Sequence, residues 1–256
     1  MPSIEIHDHG PVRLLTLNRP EVHNCVDGET ARMLAEAIEA FQVETSAHVL
    51  VITGAGAKAF CSGADLKDLW SLASHPFVER AGPMGFARLD PGKPTIGAIN
   101  GYCFAGGLEL AAWCDFRIAA ANAAFGALNR RWGVPFTDGG TQRVARIIGQ
   151  GNALWLIETG VTIDAARALA LGFVQEVVPE GQAVERALTR GRQIAEYPQA
   201  SLRADRAAAL ATFGLTLPDG LRLEAETALP TTRDAEMAEG LARFARGDRP
   251  PPPRAK

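Results

Sequence analysis

The chain has 256 residues, 47% of them apolar and 21% charged, which supplies one large packed core and excludes a disordered chain. Its 26 basic and 29 acidic side chains leave a formal charge of −3, so it lacks the basic excess of a nucleic-acid scaffold. Four Cys are too few for a disulfide framework, no signal-peptide pattern opens the chain, and no apolar run nears the ~20 residues of a bilayer span, so a reducing cytoplasm is the expected compartment.

Ile4–His7 and Val12–Leu17 read as strands, the second ending at the turn signal Asn18-Arg19-Pro20. A helix then follows, capped by Asp27 or Thr30, with Met33, Leu34, Ala37, Ile38 and Phe41 at helical spacing. The unbroken apolar run Val49–Thr53 predicts a strand buried on both faces. It leads into a Gly-rich loop, 54–64, and a short helix expected from Asp65 to Leu72. Residues 74–93 carry Pro76, Pro83 and Pro91 and are expected to form a partly mobile connection.

Pro94–Asn100 and Asp115–Ala119 are further strands, flanking a helix from Gly106 to Cys114 that is apolar except for Glu109. A loop over 120–140 precedes a helix carrying Val144, Ile147 and Ile148; helices over 150–159 and 164–171 and a strand at 173–178 follow. Beyond residue 181 the pattern is helical without strands, over 182–197, 198–213, 217–229 and 233–246. The order of elements predicts an α/β core over residues 1–195 and a helical region over 196–256, ending in a disordered Pro250–Pro253 tail.

Glu109 is the first residue that asks for chemistry. A carboxylate among apolar neighbours is costly unless it is paired or its pKa rises so that it can move protons. It lies one turn after a Gly-Gly helix start, where backbone amides favour developing negative charge. The plain alternatives are a Glu bonded to nearby backbone or an exposed face.

The loop Thr53–Lys58 resembles a phosphate loop only superficially, because the third Gly of a dinucleotide fingerprint is missing and Ala59 follows Lys58. The next stretch, Ala59–Lys67, is rich in small residues that let a ligand approach the chain, and a helix from Asp65 would aim its amides outward. Asp138, before Gly139-Gly140-Thr141, reads either as a helix cap or as a second acid beside Glu109. The five His have no metal-ligand spacing, no Gly-x-Ser-x-Gly elbow is present, and Ser62 lacks an obvious base.

Taken in order, four motifs resemble the enoyl-CoA hydratase/isomerase (crotonase) family: Leu17-Asn18-Arg19-Pro20 with Asn24, Ala59–Lys67, Ala98–Gly107 running on through Glu109 to Asp115, and Gly139–Arg143. The resemblance covers residues 10–180 and implies a spiral of ββα units, C-terminal helices that build a homotrimer or a dimer of trimers, and an acyl-CoA thioester substrate. It implies no metal and no cofactor beyond the coenzyme A of the substrate. The amides of Ala64 and Gly106 match the pair that binds the thioester oxygen in such proteins. Val22, Asp65, Leu66 and Lys67 match positions along the CoA.

Glu109 matches the first of two acids used by the family's hydratases. The second falls on Asn129, twenty residues on, and Asn can orient a water but cannot carry a proton. Asp138 matches a position where the family's dienoyl-CoA isomerases and an aromatic-acyl-CoA dehalogenase carry a working Asp, and Trp132 resembles the dehalogenase loop. Glu109 and Asp138 are therefore the expected pair. The expected activity is hydration of a 2-enoyl-CoA, with double-bond isomerisation, another thioester reaction, or non-catalytic acyl-CoA binding as alternatives. A nicotinamide-dependent dehydrogenase is disfavoured by the absent fingerprint. Residues 70–93 and 127–137 are expected to wall the acyl pocket.

Overall fold

The computed structural model describes residues 2–73 and 78–248. The Pro250–Pro253 tail and the first four residues of the 74–93 connection lie outside them. The chain divides into two compact units, residues 1–194 and 195–256.

The first unit contains two sheets. The larger has the strand order β1-β2-β3-β5-β7-β10, formed by β1 (Ile4–His9), β2 (Val12–Leu17), β3 (Val49–Gly54), β5 (Thr95–Ile99), β7 (Phe116–Ala120) and β10 (Glu176–Val178). β1 and β2 make an antiparallel hairpin and every other pairing is parallel. β3 is buried at every position, as its unbroken apolar run requires of a parallel strand covered on both faces.

The smaller sheet, in the order β4-β6-β8-β9, consists of strands of three residues each: β4 (Ala59–Cys61), β6 (Tyr102–Phe104), β8 (Ala124–Gly126) and β9 (Thr162–Asp164). Each of the first three follows a strand of the large sheet, so β3–β4, β5–β6 and β7–β8 are successive turns of one spiral. The parallel β4–β6 pairing brings the loops that leave their C-terminal ends side by side.

α1 (Gly28–Val43) is capped by Asp27, whose carboxylate accepts from Thr30 N, and buries Leu34, Ile38 and Phe41. Its C-terminal end is held by Lys93, whose Nζ donates to the carbonyls of Phe41 and Ala47. α2 (Leu69–Ala73) starts four residues later than the sequence predicts. Asp65 is instead drawn to Val26: Asp65 N donates to Val26 O, and its carboxylate pairs with Arg19 at 3.1 Å. α3 (Val78–Ala81) opens the described second part of the 74–93 connection. That part is packed, contrary to the expectation of a mobile segment: Ala81, Met84, Phe86 and Ala87 join the core.

α4 (Gly106–Trp113) is buried along its whole length, as its apolar sequence demands. Arg117 fixes its C-terminal end from within the core, donating to the carbonyls of Ala111 at 3.2 Å and Cys114 at 2.8 Å. The predicted 120–140 loop contains β8 and a 3-10 helix over Leu128–Trp132 before α5 (Gly140–Ile148). α6 (Gln150–Thr159), α7 (Ala165–Ala170) and α8 (Ala183–Ala195) complete the unit.

The second unit holds α9 (Gln199–Ala211), α10 (Leu217–Ala228) and α11 (Ala235–Ala245). None of the three buries a large apolar side chain. Leu210, Leu217, Leu221, Leu229 and Leu241 are all exposed.

Candidate active site

The Asn-Arg-Pro turn is a fastening device. Asn24, in a left-handed conformation at φ 55°, accepts Arg19 N through Oδ1 and donates Nδ2 to the carbonyls of Ala55 and Ala59. Asn100 donates to the carbonyls of Gly54 and Gly56 from the other side. The loop that resembles a phosphate cradle is therefore tied down through its own carbonyls. Arg19 extends the clamp, reaching Cys25 O at 2.8 Å, Asp27 at 3.0 Å and Asp65 at 3.1 Å.

This clamp sets the backbone around Ala64. Val26 N donates to Gly63 O and Asp65 N to Val26 O, each at 2.8 Å, so Ala64 itself faces away from that bridge. Its amide has no acceptor among the described residues, and neither does that of Gly106. The two loops meet without side chains between them. A Cβ on Gly63 would stand 2.7 Å from Gly106 N, and one on Gly107 only 2.0 Å from Cys61 O. Ala105, which precedes Gly106, is held at φ 51° and ψ −121°. An Ala in that region is strained by about 1–3 kcal/mol, and such strain gathers where backbone direction matters. The result is two unbonded amides, one in the loop after β4 and one at the start of α4.

Glu109 sits one turn further along α4 and is 3% exposed. Its Oε1 accepts from Asp138 N and Gly140 N, both at 2.8 Å, while Oε2 accepts nothing among the described residues. The expectation of a Glu bonded to nearby backbone thus holds for one oxygen only. Burial raises its pKa from 4.5 to about 7, with the charge of Asp138 adding to the rise against the amide bonds that oppose it.

Asp138 is not a helix cap. Gly139, at φ 98°, occupies the cap position of α5 and makes no side-chain cap bond. The Asp138 carboxylate turns inward instead, accepting from Met84 N at 3.0 Å and Thr137 Oγ1 at 3.0 Å. Burial also raises its pKa. Arg143 stands behind the pair, donating to the carbonyls of Asp138 and Ala87.

Glu109, Asp138, Ala64 and Gly106 line one cavity of about 430 Å³, together with Leu66, Asn129 and Trp132. Asn129 donates Nδ2 to Val134 O at 2.8 Å, and its buried Oδ1 has no partner among the described residues. Val22, Asp65 and Lys67 lie outside the cavity lining. Sequence reasoning misses Met84, whose amide bonds Asp138 and whose Sδ would meet a Cβ on Gly106 at 2.2 Å. The available signal is the Gly82-Pro83-Met84-Gly85 turn, in which both Gly have positive φ. No group of three or more His, Cys, Asp or Glu among the described residues is arranged to hold a metal ion, and no helix is long and apolar enough to cross a membrane.

A spiral of ββα turns with two unbonded amides facing a buried carboxylate defines the crotonase fold and its kind of site. The profile of the enoyl-CoA hydratase/isomerase family matches residues 8–251. A probable enoyl-CoA hydratase of Rhizobium meliloti (strain 1021) is 35% identical over 246 residues, 94% of each chain. The 2,3-dehydroadipyl-CoA hydratase of Escherichia coli (strain K12) is also 35% identical, covering 91% of each. The crystal structure of an enoyl-CoA hydratase from Mycobacterium marinum superposes with a TM-score of 0.91 at 30% identity over 98% of both chains. The chain belongs to the enoyl-CoA hydratase/isomerase family and is an enzyme with the crotonase fold.

Proposed function

We propose that the protein adds water across the 2,3 double bond of an enoyl-CoA thioester through an enolate intermediate. The observation that carries this reading is Glu109: buried, fixed through Oε1 by two amides, and with Oε2 left to the cavity beside the unbonded amides of Ala64 and Gly106. The names of relatives at 33–35% identity support the hydratase chemistry.

The thioester oxygen accepts from Ala64 N and Gly106 N, which stabilise the negative charge that gathers there. Water adds to the β-carbon, oriented by the unpartnered Oδ1 of Asn129. A C–O bond forms there, and the π pair moves toward the thioester oxygen. Glu109 delivers a proton to the α-carbon, and the Glu109–Asp138 pair takes the proton that the water gives up, so the pair ends with the proton count it began with. Val22, Asp65, Leu66 and Lys67 hold the CoA portion. No metal or nucleotide cofactor enters these steps. A 2-enoyl-CoA assay in EDTA, following loss of the conjugated absorbance, tests the reading directly; abolished activity restored by a divalent ion would overturn the cofactor-free scheme.

Double-bond isomerisation is the second reading, favoured by Asn129 at the place of a second proton carrier. It moves one proton from carbon to carbon through Glu109 and consumes no water. A 3-enoyl-CoA that gains conjugated absorbance, with no hydrated product by mass spectrometry, would select it.

The acids make a sharp prediction. Because Glu109 must carry the proton, kcat/KM falls as pH rises through about 7. The Asp138 charge helps hold that value up, so Asp138→Asn moves the midpoint to lower pH. If Asp138 also transfers protons, turnover falls by about 10²–10⁴ at every pH. A shifted midpoint with full turnover at low pH would assign Asp138 to positioning alone.

The exposed Leu side chains of α9–α11 support self-association as a homotrimer or a dimer of trimers, since a unit this small cannot bury them itself. Light scattering that gives a stable monomer at micromolar concentration would contradict it. A cytoplasmic compartment remains part of the proposal.

A further inference from the structure

We infer that the acyl group this enzyme takes is bulky, apolar and uncharged, and that acyl chains ending in a second carboxylate are excluded. The inference rests on the acyl-CoA reading of the site and concerns the apolar wall of the cavity.

That wall comprises Leu69, Trp70, Met84, Leu128, Trp132 and Phe136. No Lys or Arg lines the cavity among the described residues. Arg143, behind the acid pair, directs NH1 to Asp138 O and NH2 to Ala87 O, so neither points to a ligand carboxylate. Arg130 and Arg131 share the 3-10 helix of Trp132 but are exposed and lie outside the lining. Among the described residues, the ionisable groups that do line the cavity are both acids, Glu109 and Asp138. A second carboxylate on the acyl chain would therefore be desolvated among apolar groups, without a counter-ion and near two groups of like sign, which is a strong penalty.

Size points the same way. The cavity of about 430 Å³ takes the thioester and part of the CoA beside Leu66 as well as the acyl chain, and its apolar lining runs on to Trp70 and Trp132. Trp70 and Trp132 are 82% and 69% exposed. Longer chains would cover apolar surface that these indoles and Phe136 present, and each additional buried methylene strengthens binding.

Binding of saturated acyl-CoA esters by calorimetry tests this without any turnover. Butyryl-, octanoyl- and adipoyl-CoA share the CoA portion and differ in length and charge. The expected order is octanoyl-CoA at least tenfold tighter than butyryl-CoA, with adipoyl-CoA weaker than butyryl-CoA despite its two extra carbons. Trp132→Ala, at an exposed position, should narrow the octanoyl-to-butyryl ratio at least threefold. Adipoyl-CoA binding as tightly as octanoyl-CoA, equal affinities for butyryl- and octanoyl-CoA, or an unchanged ratio in Trp132→Ala would overturn the inference. A parallel assay with 2-octenoyl-CoA separates the two claims. The expected affinity order without hydration removes the hydratase reading and leaves this one standing; hydration with a reversed order does the opposite.

Discussion

Exchanging Glu109 for Gln is expected to lower turnover by about 10²–10⁴ while the fold persists. The side-chain carbonyl of Gln can still accept from Asp138 N and Gly140 N, the two bonds that fix this side chain in the native site. What disappears is the only group on α4 that can carry a proton. Stability should move the other way. The folded-state pKa of Glu109 is about 7 against an ordinary value of 4.5, so the folded state binds the proton more tightly. The cost of ionising the buried group is absent below pH 4.5, grows as pH rises to about 7, and then levels near 3 kcal/mol. Gln carries no such cost, so the variant should gain stability relative to the parent across that window, as urea unfolding at pH 4.5 and pH 8 will read. A variant that loses activity and stability together at pH 8 would make Glu109 a structural residue.

The second large effect concerns the amide of Gly106. Gly106→Pro removes that donor and should cost about 10²–10³ in turnover, the usual consequence of losing one oxyanion-hole hydrogen bond. The first helical position tolerates Pro in general because its amide has no intrahelical partner. Two other consequences need a control. Any Cβ at 106 meets Met84 Sδ, 2.2 Å from its ideal position, and a following Pro disfavours the ψ of −121° that Ala105 adopts. Gly106→Ala introduces the first problem without removing the amide. A much larger loss in Pro than in Ala, with both variants folded, assigns the effect to the missing donor and the turn that aims it. Equal turnover in the parent and in Gly106→Pro would place the oxyanion elsewhere.

The large sheet was readable from sequence because β2 and β3 are rich in Val, Leu and Ile, β1 opens on an alternation, and β5 is apolar or small throughout. β3 and β5 are buried at every position, and such runs need no periodicity to be recognised. The small sheet was not readable. Its strands of three residues are shorter than any alternation can reveal, and β4 and β6 lie inside Gly-rich stretches that read as loops. Asp65 shows a tertiary override: local sequence suits a helix start, but the bond of its amide to Val26 O and the pairing of its carboxylate with Arg19 keep it out of the helix.

Within the site, Glu109 was legible because a lone acid in an apolar helix must be explained. Asn129 came from family spacing, Asp138 from its place before Gly139-Gly140-Thr141 as well as from the resemblance, and both line the cavity with Glu109. The partner of Asp138 was hidden. Met84 N is 54 residues distant in sequence and contributes a backbone group, which no residue pattern marks. The cap reading of Asp138 failed for a local reason, since Gly139 takes the left-handed turn into α5 and frees the Asp side chain to point inward.

The central claim is that water, activated beside Glu109, adds to an enoyl thioester whose oxygen rests on Ala64 and Gly106. The most direct measurement incubates the purified protein with 2-octenoyl-CoA in ¹⁸O-labelled water without added metal or nucleotide, and weighs the product by mass spectrometry. The account predicts a product heavier by one labelled water, formed by the parent enzyme and reduced by about 10²–10⁴ in Glu109→Gln. A thioester recovered at its original mass, or a labelled product formed equally well by Glu109→Gln, would contradict it.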